Sequence, residues 1–208
     1  MGRAVEEVTL VRTGTANLAS VSAAVRRLGC APVVVEDPDA VVRCRRLILP
    51  GVGTLRAAMR RLEALGLPEA LRERVRRRAP TLAICLGMQI LCEGSEESEG
   101  VEGLGAIAGK VAAFPDSVRV PQLGWNSTVA PAGARLLDDE YYYFANSYRL
   151  VEAPSGWRAA MCDYGGPFVA AVEDGGVLAC QFHPELSGRA GLGLLRRWID
   201  STGGGGSC

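Results

Sequence analysis

Two short segments of this 208-residue chain carry side chains that could act together in nucleophilic catalysis. Cys85 follows an apolar run, residues 81–84, and His183, the only histidine, is followed two positions later by Glu185. A thiol, an imidazole base and a carboxylate that orients the base can form a triad that attacks a carbonyl carbon. Any imidazole-mediated proton transfer in this protein must use His183, because the chain has no other imidazole.

The residues around Cys85 have the pattern of a nucleophile elbow, a sharp turn between a strand and a helix. Ala83 and Gly87 are the small residues that such a turn needs on either side, so that the nucleophile can project from the sheet edge. The N-terminus of the following helix favours a thiolate and offers backbone N–H groups to an oxyanion. Taken alone, the segment is better explained by a buried structural cysteine, a common environment for free cysteines.

The run His183-Pro184-Glu185 shifts that balance toward catalysis. Proline favours an extended backbone at the residue before it, and side chains two apart in an extended strand point to the same side. His183 and Glu185 are therefore expected to project together, with the carboxylate fixing the tautomer of the imidazole. A core histidine without a catalytic role is the weaker interpretation once both segments are considered.

Composition and charge argue against several other classes of protein. The 23 Lys and Arg residues balance the 23 Asp and Glu residues, so the chain has no net positive charge that would attract nucleic acid or an anionic membrane. The arginine cluster at 72–78 is interpreted as a solvated helix face. No run approaches the roughly 20 apolar residues of a membrane span, and the first residues lack the apolar region of a signal peptide. We therefore expect no nucleic-acid partner and no membrane partner.

The seven cysteines indicate reduced thiols and a cytoplasmic location. Their number is odd, no C-x-x-C spacing occurs, and most of them lie in apolar runs. This pattern favours neither a disulfide framework nor a zinc site.

The order of predicted elements indicates one α/β domain. Strands alternate with helices in the first half, as in a parallel sheet with helices on both faces. The strands predicted there are 8–12, 32–35, 46–50 and 81–84, and the helices are 17–28, 55–65 and 69–78. Short strands at 110–114, 126–129, 141–148, 158–162, 168–172 and 177–182 and a last helix at 191–199 follow. We assign residues 1–202 to the domain and the Gly-rich residues 203–208 to a flexible tail.

Taken together, these motifs resemble those of class I glutamine amidotransferases. The general family signals are the elbow at 85–89 and the run at 181–185. Within that family the chain is similar to the glutaminase subunits of imidazole glycerol phosphate synthase, on the further segments 14–21, 50–53, 121–126 and 143–148. The resemblance covers residues 8 to about 200. Departures from the usual pattern occur at Arg12-Thr13, Asn146 and Leu186, and none of them belongs to the triad.

The resemblance implies a flavodoxin-like α/β fold with a mostly parallel central sheet, helices on both faces and added short antiparallel strands. It implies hydrolysis of L-glutamine to glutamate and ammonia, with no metal and no organic cofactor. The ammonia would pass to a (β/α)8-barrel cyclase subunit in a heterodimer. That subunit would make imidazole glycerol phosphate and aminoimidazole carboxamide ribonucleotide in L-histidine biosynthesis.

The roles of individual residues follow from the same resemblance. Cys85 is expected to attack the amide carbon, His183 to transfer protons and Glu185 to orient His183. The backbone N–H groups of Val52 and Leu86 are expected to hold the oxyanion. The residues expected to bind glutamine are Gly51, Gln89, Ser147 and Tyr148.

Three other interpretations remain open at this point. Another glutaminase of the same class, such as the pyridoxal phosphate synthase or anthranilate synthase subunit, is disfavoured by segments 50–53 and 121–126. A non-catalytic regulatory module on the same fold is disfavoured by the intact set of Cys85, His183 and Glu185. A Cys–His peptidase would need a peptide groove, of which the sequence gives no sign.

Overall fold

The structure is a computed structural model that describes residues 5–14 and 17–202. The tail assigned to residues 203–208 lies outside these ranges, as do Thr15 and Ala16 of the first loop. The strands are β1 (Glu7–Val11), β2 (Ala31–Val35), β3 (Leu47–Gly51), β4 (Thr81–Cys85), β5 (Gly94–Ser95), β6 (Lys110–Ala113), β7 (Gln122–Thr128), β8 (Glu140–Asn146), β9 (Tyr148–Leu150), β10 (Arg158–Asp163), β11 (Pro167–Asp174) and β12 (Val177–Cys180). The helices are α1 (Leu18–Arg27), α2 (Pro38–Arg43), α3 (Leu55–Ala64), α4 (Pro68–Arg76), α5 (Leu86–Leu91) and α6 (Gly188–Ser201), with 3-10 turns at Glu96–Ser98 and Pro184–Leu186.

A ten-stranded sheet positions the site. Its order is β2-β1-β3-β4-β12-β11-β9-β6-β5, with β10 paired to β11. The five strands from β2 to β12 are parallel, and β11, β9 and β6 extend the sheet by antiparallel pairing. The predicted fold class, a mostly parallel sheet with added antiparallel strands, is confirmed. Carboxyl ends of parallel strands meet at one sheet edge, and this edge is where α/β folds bind their ligands. Gly51, Cys85 and Cys180 lie there, at the ends of β3, β4 and β12.

Side chains of the parallel strands alternate between two hydrophobic cores. In β4, Leu82 and Ile84 belong to the core that includes Trp198 of α6, whereas Ala83 belongs to the core that includes Leu62 of α3. This alternation is the period-two pattern of a strand that is covered on both faces. Within the described residues, no helix is long and apolar enough to cross a membrane.

A separate two-stranded sheet, β7–β8, lies beside the main one. Its side chains alternate between inward and outward positions, with Tyr142 and Phe144 buried and Leu123, Trp125 and Tyr141 exposed. The predicted strand 141–148 is therefore wrong as one element. The chain breaks at Ser147 into β8 and β9, which pair with different strands and hence run in different sheets.

One predicted helix is too long, and one helix was missed. The helix predicted at 69–78 ends at Arg76, because Arg78 has a φ of 53°, a left-handed conformation that an α-helix cannot continue. Helix α2 was not predicted, although Asp37 caps it by accepting a hydrogen bond from Ala40 N at 2.8 Å and Pro38 occupies its first position. Both residues are recognised signals of a helix start.

Candidate active site

The turn at Cys85 joins strand to helix with no intervening loop. Strand β4 ends at Cys85 and α5 begins at Leu86. Cys85 has φ 54° and ψ −113°, a backbone conformation that L residues rarely adopt and that costs on the order of 1–3 kcal/mol. Such strain persists only where the surroundings hold it, and it is typical of positions where a side chain must be presented for chemistry.

Glycines at two positions allow the neighbouring backbone to hold this turn. A Cβ at Gly87 would lie 2.0 Å from Leu49 O, so no side chain fits between α5 and β3. A Cβ at Gly51 would lie 3.0 Å from Leu86 Cβ and 3.1 Å from Gly87 N. The small residue that the elbow pattern requires after the nucleophile is therefore explained by the packing of the helix start against β3.

His183 and Glu185 are brought together by a turn rather than by a strand. The expectation that both residues lie in one extended strand is wrong, because β12 ends at Cys180 and Pro184–Leu186 forms a 3-10 turn. The side chains nevertheless meet, with 2.9 Å between His183 Nδ1 and Glu185 Oε1, and both are almost fully buried.

The backbone around His183 is anchored to β8 by Ser187. His183 N donates to Tyr143 O at 2.9 Å, and Ser187 Oγ donates to His183 O at 2.7 Å. Ser187 Oγ also accepts a hydrogen bond from Tyr143 N at 2.9 Å. The imidazole is thus carried by a main chain whose polar groups are paired on both sides.

The environment of His183 favours its protonated form. Burial is the largest single influence and lowers the pKa, but hydrogen bonds to Cys85 and Glu185 and the charges of those groups together outweigh it and raise the pKa to about 10. An imidazolium held between a thiolate and a carboxylate is the activated state of a cysteine nucleophile. By contrast, burial raises the pKa of Cys92 and of Cys162 to about 12, so these two thiols stay protonated.

The candidate triad opens onto a cleft of about 340 Å³, a volume suited to a small molecule. The lining residues are Val52, Gly53, Cys85, Leu86, Gln89, Glu97, Ala145, Asn146, Ser147, Tyr148 and His183. The structure thus brings most of the residues singled out from the sequence to one place. Gly51 does not line the cleft and is buried behind it, against Leu86 and Gly87.

Two residues of this site were given no role from the sequence. Glu97 lines the cleft from the 3-10 turn Glu96–Ser98, and its Oε2 accepts a hydrogen bond from Leu55 N at 3.2 Å. Gln181 contacts the nucleophile directly, with Nε2 3.5 Å from Cys85 Sγ. Gln181 opens the run 181–185 that carries the family resemblance, and this is the sequence signal that pointed to it.

A larger cavity of about 740 Å³ lies elsewhere on the surface, at the β5–β6 edge. Arg72, Glu96 and Lys110 are among its lining residues, and none of the candidate catalytic side chains reaches it. The smaller cleft, with a nucleophile, a base and a carboxylate, is therefore the better candidate for chemistry.

An apolar surface adjoins the cleft. The outward side chains of β7 and β8, here called the β7–β8 face, are Leu123, Trp125, Ser127, Tyr141, Tyr143 and Ala145. Trp125 is 56% exposed and meets Tyr143 edge to face, with ring centroids 6.2 Å apart. Ala145 belongs to both this face and the cleft lining, so the two are continuous. Large exposed apolar patches commonly mark sites where another protein binds.

Comparison with known proteins relates this site to a family. A sequence model described as glutamine amidotransferase class-I matches residues 10–199. The imidazole glycerol phosphate synthase subunit HisH of Yersinia pseudotuberculosis is 42% identical over 199 residues, which cover 93% of this chain and 99% of that protein. The chloroplastic imidazole glycerol phosphate synthase hisHF of Arabidopsis thaliana is 40% identical, over 92% of this chain and 34% of that protein.

Solved structures place the fold in the same group. A protein described by its crystal structure as a glutamine amidotransferase superimposes with a TM-score of 0.75 at 20% identity, covering 94% of this chain and 99% of the other. At that identity the likeness concerns the fold alone. The match of the family model over nearly the whole chain, and the 42% identity to HisH, show that this chain belongs to the class I glutamine amidotransferase family.

Proposed function

We propose that this chain hydrolyses L-glutamine to glutamate and ammonia, as the glutaminase subunit of an imidazole glycerol phosphate synthase in L-histidine biosynthesis. The observation that carries the proposal is the pairing of His183 with both Cys85 and Glu185 at one cleft. The near-full-length identity to proteins named HisH supports the assignment to this synthase. We also propose a cytoplasmic location.

The proposed reaction begins with the Cys85 thiolate and the His183 imidazolium. Sulfur attacks the side-chain amide carbon of glutamine, and the negative oxygen that forms is held by the N–H groups of Leu86 and Val52. His183 gives its proton to the amide nitrogen, the C–N bond breaks, and ammonia leaves a γ-glutamyl thioester on Cys85. Neutral His183 then removes a proton from water as the water oxygen attacks the thioester. Expulsion of the thiolate releases glutamate and restores the starting ion pair.

The cleft lining supplies partners for the rest of the substrate. Glu97 is the one carboxylate among the described lining residues, and its negative charge suits the α-ammonium group of glutamine. We assign Gln89, Ser147 and Tyr148 to hydrogen bonds with the polar atoms of the substrate, since all three line the cleft beside Cys85. Gly51 has a packing role in this proposal rather than a contact with glutamine.

The β7–β8 face is the proposed docking surface for the cyclase subunit. Ammonia released into bulk water would be lost, so the partner must bind next to Cys85, and this face continues from the cleft through Ala145. Leu123 is 67% exposed and Leu186, beside Glu185, is 43% exposed. Apolar and aromatic side chains of this kind form the centres of protein interfaces.

We further propose that the partner controls the oxyanion hole. The Gly51–Val52 peptide lies at the end of β3, and only one of its orientations would direct the Val52 N–H toward Cys85. Loss of one oxyanion donor lowers the rate by about 10²–10³-fold. A substitution of Gly51 cannot test this control, because any Cβ at position 51 would press on Leu86 and Gly87, and the test therefore compares the free chain with the complex.

The decisive experiment measures glutamate release by the purified chain alone and in complex with the cyclase subunit and its ligand. We expect little activity from the free chain, strong activity from the complex, and none from a complex with Cys85→Ala. Absence of glutamate from the wild-type complex would refute the proposed function and favour a regulatory module. Equal rates for the free chain and the complex would refute the proposed control by the partner, but not the proposed function. Cleavage of casein by the free chain would favour a peptidase.

A further inference from the structure

A buried pair of glutamine side chains connects the cleft to the sulfur of Cys85. Gln181 lies between β12 and His183, is 1% exposed, and donates its backbone N–H to Ala170 O at 2.8 Å. Its side-chain Nε2 donates to Cys85 Sγ at 3.5 Å. Gln89, on α5, donates from its own Nε2 to Gln181 Oε1 at 2.9 Å. The reaction described above gives Gln181 no part, although it touches the nucleophile.

The direction of these hydrogen bonds matches an ionised sulfur. A carboxamide donates only from its nitrogen and accepts only at its oxygen. Because Gln89 donates to the oxygen of Gln181, the nitrogen of Gln181 faces Cys85. A thiolate can only accept, so the reverse orientation would place the carbonyl oxygen of Gln181 against a negative charge. Gln89 therefore holds Gln181 in the orientation that favours the thiolate.

We propose that Gln181 is a positioning residue, which holds Cys85 Sγ and stabilises its thiolate through a hydrogen bond oriented by Gln89. The inference rests on the proposed role of Cys85 as nucleophile. His183 is also a hydrogen-bond partner of Cys85, but it must give its proton to the departing ammonia. Gln181 keeps its N–H throughout, so it also stabilises the sulfur when the thioester releases it as a thiolate.

The size of the effect follows from the type of bond. A hydrogen bond to a charged group is roughly twice as strong as one between neutral groups, and its loss in a buried site corresponds to roughly 10- to 100-fold in an equilibrium. Without the Gln181 donor, the thiolate form of Cys85 loses that stabilisation relative to the thiol. The rate of any reaction that consumes the thiolate should fall in proportion.

The test is the rate at which iodoacetamide alkylates Cys85 in the free chain between pH 6 and pH 10, followed by peptide mass spectrometry. Gln181→Met keeps the length of the side chain but cannot donate, and Gln181→Glu keeps its volume but places a carboxylate at the sulfur. Gln122→Met is the matched control, because Gln122 is equally buried, at 3% exposure, and has no hydrogen bond to Cys85. Circular dichroism selects the folded variants.

We expect both Gln181 variants to react roughly 10- to 100-fold more slowly at pH 7, with the pH–rate profile displaced to higher pH. Gln122→Met should follow the wild-type profile. Gln89→Met, which leaves Gln181 in place but removes the group that orients it, should move the profile in the same direction by less. A wild-type profile in a folded Gln181 variant would overturn the proposal, and so would an equal displacement in Gln122→Met. If neither Gln181 variant folds, a wild-type profile in Gln89→Met overturns it.

The same variants separate positioning from substrate binding. In the complex with the cyclase subunit, Gln181→Met should lower kcat while leaving KM for glutamine nearly unchanged. A raised KM with normal kcat would overturn the positioning role. Alkylation requires neither glutamine nor a partner, so its outcome is independent of whether the complex releases glutamate. Failure of the proposed function and failure of this inference are therefore distinguishable.

Discussion

Gly191 is the point where helix α6 packs against the turn that carries Glu185, and Gly191→Ala should separate activity from stability. A Cβ at position 191 would lie 1.9 Å from Pro184 O and 2.8 Å from Ser187 Cβ. Cβ atoms essentially never approach other atoms within 3.0 Å, so the Pro184 carbonyl must move away by about 1.1 Å. That carbonyl is the first of the 3-10 turn that positions Glu185 beside His183.

Two contributions to the stability oppose each other. Alanine favours a helix interior over glycine by about 1 kcal/mol, whereas overpacking costs typically about 1–3 kcal/mol, and the upper end applies here because the displaced group is a backbone carbonyl. The net loss of about 2 kcal/mol still leaves most of the roughly 5–15 kcal/mol of a folded domain. No opposing contribution offsets the effect of the shift on the catalytic rate. A shift of about 1 Å would stretch the 2.9 Å hydrogen bond of His183 beyond its useful range, and misplacement of that size costs about 10²-fold in rate.

The assay is glutamate release by the complex with the cyclase subunit, with thermal unfolding of the free chain measured in parallel. We expect about 100-fold lower kcat for Gly191→Ala and a melting temperature within several degrees of the wild type. Gly193→Ala is the matched control in the same helix, since the nearest atom to its Cβ would be Arg197 Nη1 at 3.5 Å. Full activity of a folded Gly191→Ala variant would refute the view that this contact positions Glu185.

Three further predictions concern the site and its support. A diazoketone analogue of glutamine should label Cys85 at pH 8 and leave Cys92 and Cys162 unmodified, because burial raises the pKa of both thiols to about 12; peptide mapping that finds either of them labelled as fast as Cys85 would contradict this. Glu185→Gln should lower kcat by roughly 10²–10⁴-fold and move the alkaline limb of the pH–rate profile to lower pH, because the carboxylate raises the pKa of His183; an unchanged profile would remove Glu185 from the triad. Arg74→Lys should lower the free energy of unfolding by about 2–4 kcal/mol in urea titrations, since the buried guanidinium donates to five oxygen atoms of two chain segments. Arg76→Lys is the control, because Arg76 is exposed and pairs only at the surface with Glu69, and we expect its free energy of unfolding to change by less than about 0.5 kcal/mol. Equal losses of stability in the two variants would contradict the assigned role of Arg74.

The sequence alone was enough to predict the fold class and the candidate nucleophile and base, because these depend on local patterns. Strand and helix periodicities are properties of short segments, and their alternation predicts a parallel sheet covered on both faces. The elbow around Cys85 is equally local, since a strand, a sharp turn and a helix start lie within a few residues. With only one histidine in the chain, the base of any triad was determined by composition.

Only the tertiary structure decided how the remaining side chains join the site. Glu185 meets His183 across a 3-10 turn, and this turn is held against β8 by the hydrogen bonds of His183 N and Ser187 Oγ to the backbone of Tyr143, which no pattern within the run predicts. Gln181 reaches Cys85 because β12 lies next to β4, a pairing between segments about a hundred residues apart. Strand order is set by burial summed over the whole domain rather than by any one segment, so these contacts exist only in the folded chain.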